Sequence, residues 1–196
     1  MSEKRVLEIL ESCDALQEGH FRYTSGKHGS RYFEKIRIVS RPHLVDELGR
    51  MMAVTMDDVR DGIDLVCSPA FGALVFGFAT ALHMGKNFAF LQRNADGGMT
   101  VRSGFREMLP GNRILLVEDV STTGGSIKES IETLHAHDAR VVQVGILVDR
   151  TGGELELGVP YRALLTVKAE SWKADDCPLC RQGIPISVPG SSGKKL

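Results

Sequence analysis

Apolar residues along the chain follow two rhythms: helical spacing near the start, and short unbroken runs from residue 64 onward. Val6, Leu7, Ile9, Leu10, Cys13 and Leu16 recur at helical intervals, which predicts an amphipathic first helix ending before Gly19. Residues 19–30 are polar and punctuated by glycine, which predicts a loop, with a strand over 32–39 after it. Pro42 stands near the first turn of a long helix running to about residue 59. Leu44, Leu48, Met51, Met52 and Met56 mark its buried side, the methionines as core filler.

From residue 64 the pattern alternates. Short apolar runs at 65–67, 88–91, 114–117, 141–148 and 163–167 predict strands, and helices are predicted over 74–83 and 127–136. Residues 94–104 read as a loop with a short hairpin, and the chain closes on a tail rich in Pro, Gly and Ser. Strand–helix alternation implies an α/β fold: a mostly parallel sheet flanked by helices, in one domain over 1–196. Ligands bind such sheets beyond the carboxyl ends of the strands. Segments 68–73, 93–104, 118–126 and 149–153 are placed there.

Composition narrows the field. Net charge is −1 with acids and bases interspersed, so nothing suggests a nucleic-acid or membrane surface. No apolar stretch approaches the ~20 residues that span a bilayer. The basic residues near the N-terminus precede an amphipathic helix, so this segment does not read as a signal peptide. Four cysteines, only two of them close in sequence, do not make a disulfide framework, and the cytoplasm is the expected compartment.

The stretch from Arg113 to Ser126 carries the most chemistry. A strand at 114–117 leads into adjacent carboxylates, Glu118 and Asp119, and then into Ser121, Thr122, Thr123, Gly124, Gly125 and Ser126 ahead of a helix. Bare backbone N–H groups and hydroxyls at a helix start favour a phosphate. The paired acids suit sugar hydroxyls or a developing positive charge. Phosphate and diol together imply a ribose phosphate. The plain alternative, an acidic turn with glycines as punctuation, leaves the acids and the hydroxyl run unexplained together. Neither a P-loop nor a dinucleotide fingerprint is present.

This string closely resembles the phosphoribosyl-pyrophosphate (PRPP) signature of type I phosphoribosyltransferases. Beyond it, the segment from Gly19-His-Phe to Tyr32-Phe33, the Asp149-Arg150 pair and Cys177-Pro-Leu-Cys180 resemble orotate phosphoribosyltransferases, over about residues 18–183. The resemblance implies a small hood, built from residues 1–40 and the C-terminal tail, above the sheet. It also implies transfer of phosphoribosyl from PRPP to orotate, with Mg²⁺ as cofactor and two active sites near the interface of a homodimer. Glu118 and Asp119 would face the ribose, with Ser121–Ser126 on its phosphate and Ala70, Phe71 and Gly72 on the pyrophosphate. Tyr32, Phe33, Thr122 and Arg150 would hold orotate, a flat anion whose edge suits a guanidinium fork. Residues 64–73 and 118–126 offer almost no basic side chain, so the cation for PRPP is expected from the loop at 93–104. Arg93 and Arg102 would then act catalytically in the neighbouring subunit. The alternatives are a phosphoribosyltransferase for another base, such as a purine, and a PRPP-binding regulator without turnover.

The chain departs from the family pattern at Thr24, where lysine is common, at Asn94, which replaces a loop lysine, and at Ser68 and Ala73, where glycine is usual. Cys177 and Cys180 form a single C-x-x-C. A closed zinc site needs four ligands, and His135 and His137 have no ligand spacing. A turn with free thiols is therefore the simpler expectation and zinc the alternative. His20 and His28 read as solvated loop histidines, and Cys13 and Cys67 as core residues.

Overall fold

A computed structural model describes residues 3–23, 25–168 and 170–189. Thr24 and the end of the tail expected to join the hood lie outside the described residues. The chain opens with α1 (Glu3–Ser12), burying Val6, Ile9 and Leu10. It then forms an antiparallel hairpin, β1 (Leu16–Arg22) and β2 (His28–Phe33), in place of the expected loop. A register shift between Glu18 and Phe21 breaks the strand alternation, which is why the segment reads as irregular in sequence. Through that hairpin His20 and His28 become buried, at 2% and 4% exposure, not solvated. The strand expected over 32–39 ends at Phe33. It gives way to a short helix, α2 (Ile36–Val39), whose Ile38 is buried in the core.

The long helix is α3 (Pro42–Thr55), and its five predicted core residues are all buried. Its Gly49 lies so close to the next helix that an added Cβ would stand 2.5 Å from the Ala79 methyl. The alternating part follows: β3 (Leu65–Pro69), α4 (Leu74–Met84), β4 (Asn87–Arg93), β5 (Met99–Val101), β6 (Arg113–Ser121), α5 (Gly125–His135), β7 (Arg140–Asp149) and β8 (Tyr161–Thr166). The tail adds β9 (Ser171–Trp172) and α6 (Pro178–Arg181).

Two sheets result. The main one runs β5-β4-β3-β6-β7-β8, parallel except for the β4–β5 hairpin. The small one runs β1-β2-β9 and is antiparallel. β6 shows why the main sheet is covered on both faces. Leu115 and Val117 enter the core with α3 and α4, while Ile114 and Leu116 enter the core with α5. A strand buried on both faces needs an unbroken apolar run, and Ile114–Val117 supplies it. No helix among the described residues is long and apolar enough to cross a membrane.

Candidate active site

β6 extends past its apolar run, so Glu118 and Asp119 lie within the strand and are 5% and 6% exposed. Their backbone turns inward to meet them: Asp119 N–H donates to Glu118 Oε1 at 3.1 Å and Val120 N–H to Asp119 Oδ1 at 2.7 Å. The second Asp119 oxygen, Oδ2, lies 3.1 Å from Lys35 Nζ. Burial raises the Glu118 carboxyl well above its ordinary 4.5, and the neighbouring Asp119 charge raises it further. For Lys35, burial lowers the ammonium, but the Asp119 carboxylate outweighs it and the net shift is upward. Glu118 thus holds its proton to higher pH than a free carboxyl does, beside a Lys35–Asp119 ion pair.

The turn after β3 comes up against this pair. A Cβ on Gly72 would collide with both the Asp119 carboxylate and the Lys35 ammonium, so only glycine lets the turn pass there. Ala70 N–H donates to Leu91 O at 2.7 Å, and the Ala70–Phe71 peptide is cis. Ser68 is fully buried, with its hydroxyl unpartnered and packed beneath Gly77.

Beyond the acids, the chain turns from β6 into α5. Gly124 adopts the left-handed conformation (φ 76°) as the helix N-cap, and Thr123 Oγ1 accepts from Gly125 N–H at 3.5 Å. The first intrahelical bond is Lys128 N–H to Gly124 O, so the N–H groups ahead of it face outward, unsatisfied within the helix. Thr122, Thr123, Gly125 and Ser126 are exposed at this end, while Ser121 is buried with an unpartnered hydroxyl.

Arg150 reaches the same space from the end of β7. Its N–H donates to Ser121 O at 2.9 Å, stitching the two strand ends together. Asp149, fully buried, accepts from Thr151 N–H at 2.8 Å, from the Thr151 hydroxyl at 2.7 Å and from Gly153 N–H at 3.2 Å, which fixes the turn. The guanidinium lies over the Tyr23 ring, 5.0 Å from its centroid, and donates to the Tyr23 hydroxyl at 2.8 Å. It forms no ion pair with Asp149 or Glu154; Glu154 pairs with Lys168. Between these walls lies a cavity of about 610 Å³. Tyr32, Phe33, Lys35, Thr122, Thr123 and Arg150 line it, together with Tyr23 and Lys27 of the hood.

Residues 37–177 match the family model of the phosphoribosyl transferase domain. The chain is 41% identical over 190 residues to the orotate phosphoribosyltransferase of Thermotoga maritima, covering 97% of this chain and all of that one. It is 39% identical over 191 residues to that of Desulforamulus reducens, covering 97% and 98%. The chain belongs to the orotate phosphoribosyltransferase family. Among solved structures, the orotate phosphoribosyltransferase of Aeropyrum pernix shares the fold, with a TM-score of 0.69 at 24% identity over 83% of this chain and 94% of that one.

Within this phosphoribosyltransferase, Tyr32, Phe33, Thr122, Thr123 and Arg150 of the expected residues line the cavity, and Asp119 is tied to it through Lys35; Glu118, Ser121, Gly124, Gly125, Ser126 and the 70–72 turn are not part of its lining. The loop arginines do not join them. Arg93 forks onto Glu129 of α5, at 2.9 and 3.2 Å, and also bonds Gly97 O. Neither Arg93 nor Arg102 lines the cavity of its own chain. The cations there are Lys27, Lys35 and Arg150, none of which the expectation of a cation from the 93–104 loop included. Lys35 and Tyr23 are the residues that sequence reasoning missed. Lys35 follows the paired aromatics Tyr32 and Phe33, and that adjacency was the available signal.

Proposed function

We propose that the chain transfers phosphoribosyl from PRPP to orotate, giving orotidine 5′-phosphate and pyrophosphate in pyrimidine nucleotide synthesis. The observation that carries this reading is that Lys35, paired to Asp119, lines one cavity with Arg150 and with Thr122 and Thr123 of the turn leading into α5. PRPP would lay its 5′-phosphate against Thr122–Ser126, where unsatisfied N–H groups and the helix dipole favour an anion. Its ribose would face Asp119 and its diphosphate the 70–72 turn. Orotate would lie between the hood aromatics and Arg150, whose planar fork matches a planar anion.

In the reaction the bond from C1 to pyrophosphate breaks and a bond from the orotate ring nitrogen to C1 forms, the proton of that nitrogen leaving to the released pyrophosphate or to solvent. Positive charge develops on the ribose between the two events. Asp119 stabilises that charge, and Lys35, released from Asp119 as substrate enters, meets the negative diphosphate. Preorganised charges of this kind act strongly in a cleft that excludes water.

The donor set fits Mg²⁺, a cation that takes oxygen ligands from substrate phosphates and one or two carboxylates. The buried Ser121 hydroxyl has no hydrogen-bond partner among the described residues, and Asp119 Oδ2 is held by the Lys35 ammonium. Asp119 would hold the ion together with PRPP oxygens, and the ion would supply neutralising charge to the leaving pyrophosphate.

The working unit we propose is a cytoplasmic homodimer. Phe78 and Leu82, four residues apart on α4, are 56% and 63% exposed. Such a face suits contact with a second copy. Arg93 and Arg102 would then serve the partner's site, on a loop whose Gly97, Gly98 and Gly104 let it close over substrate.

A panel of orotate, uracil, adenine, guanine, hypoxanthine and xanthine, each with PRPP and Mg²⁺, tests the acceptor through pyrophosphate release. Orotate alone should support turnover. Turnover of a purine without orotate would place the chain with the purine enzymes.

A further inference from the structure

Away from the active-site acids, four side chains from opposite ends of the chain meet at one point. His20 of β1, His28 of β2, and Cys177 and Cys180 flanking the start of α6 place one ligand atom each within 4.8 Å of all the others. Four of the six separations lie between 3.1 and 3.7 Å. His20 Nε2 lies 3.1 Å from His28 Nδ1, 3.4 Å from Cys177 Sγ and 3.7 Å from Cys180 Sγ, and Cys180 Sγ lies 3.3 Å from His28 Nδ1.

We propose that these four residues form a structural zinc site that pins the C-terminal segment to the hood hairpin. The geometry follows from the ion. Zinc binds nitrogen at about 2.0–2.1 Å and thiolate sulfur at about 2.3 Å in a tetrahedron, so its ligand atoms stand about 3.3–3.8 Å apart. Three edges of the cluster, at 3.3, 3.4 and 3.7 Å, fall in that range, the His20–His28 edge at 3.1 Å is slightly shorter, and the other two lie within 4.8 Å.

The tautomer also fits. His20 Nδ1 lies 2.8 Å from Ile184 O, a carbonyl that can only accept, so Nδ1 carries the proton and Nε2 turns a lone pair inward. A histidine ligand oriented by a backbone carbonyl through its other nitrogen is the usual support of a metal site. His20, His28 and Cys177 are buried, and Cys180 is exposed as a residue with its sulfur turned to the cluster, which leaves the ion a route in. Two thiolates and two imidazoles favour zinc over magnesium or calcium, which take oxygen.

The site would do mechanical work. The segment it anchors is otherwise joined to the hairpin by few bonds: His28 and Gly29 pair with Trp172 and Ser171, Ser187 N–H donates to His20 O at 2.7 Å, and Arg22 N–H donates to Ser187 O at 3.0 Å. That segment carries Ser171 and Pro189 to the lining of the active-site cavity, which Tyr32 and Phe33 also line. β9 adds only two residues to the small sheet, and a bound metal would supply folding free energy at that edge.

Elemental analysis of the full chain, purified without added metal, tests the site. It should find one zinc per chain, retained on dialysis and lost, to less than one tenth, in the Cys177→Ser/Cys180→Ser variant. Because that variant could fail to fold, the wild-type chain is also stripped and refilled with Co²⁺ alone. Intense visible bands of tetrahedral cobalt with thiolate charge transfer should appear at one equivalent, and zinc should abolish them. A metal-free protein with two reactive thiols at 177 and 180, a disulfide between them, or cobalt spectra of octahedral oxygen ligation would each overturn the proposal.

Discussion

Lys35 Nζ stands 3.1 Å from Asp119 Oδ2, across a turn that only glycine at position 72 allows. A residue just past the hood hairpin is thereby tied to the acid at the end of β6. The pair keeps the carboxylate aimed before substrate arrives, and it stores a cation where a diphosphate would lie.

Asp119→Asn should therefore lower kcat by about 10²–10³, the usual loss on removing one preorganised electrostatic group. The fold should persist, because the change is isosteric and sits at the cleft. Steady-state kinetics beside far-UV circular dichroism check this. Near-normal kcat would show that the charge on Asp119 has no part in the reaction.

Arg150→Ala should act on the acceptor. Losing hydrogen bonds to a charged group costs about 1.5–3 kcal/mol, so KM for orotate should rise about 10- to 150-fold while KM for PRPP changes little. A matching rise for PRPP alone would reassign Arg150 to the donor.

The pH dependence of stability should expose Glu118. Its carboxyl is raised in the folded protein, so the folded state holds a proton that the unfolded chain gives up near 4.5. Stability contributed by this group is then present below about pH 4.5 and is lost as pH rises toward the folded value. Glu118→Gln removes that loss. Its melting temperature should match wild type at low pH and exceed it increasingly above pH 4.5, with the gap in stability widening by at most about 1.4 kcal/mol per pH unit. Parallel curves across this range would show that Glu118 ionises normally.

Legibility in the sequence tracked locality. The β6–turn–α5 unit was readable because strand, acids, hydroxyls and glycines are contiguous, and each announces a separate chemical demand. The hood was not. In β1 a register shift breaks the alternation, and the residues that its hairpin buries include two histidines. Lys35 and Asp119, or His20 and Cys177, meet only through the tertiary fold, so no spacing rule links them. The 93–104 loop was read correctly as a hairpin, with β5 pairing antiparallel to β4, but the partnership of Arg93 with Glu129 on α5 was invisible.

The loop yields a test of assembly. A hybrid of one Arg93→Ala/Arg102→Ala subunit and one Asp119→Asn subunit should regain about half the wild-type activity per dimer, because both lesions then fall in one of two symmetric sites. A verified hybrid as inactive as its parents would place the loop's role within its own chain or outside catalysis.

The central claim is transfer between two substrates in one cavity, and phosphorus NMR of a single reaction mixture tests it most directly. With PRPP, Mg²⁺ and orotate, the PRPP diphosphate signals should disappear as free pyrophosphate and a new phosphomonoester of orotidine appear in equal amounts, with no change when orotate is withheld. PRPP signals that shift on binding but are not consumed with any base, or pyrophosphate released at the same rate without orotate, would contradict the account.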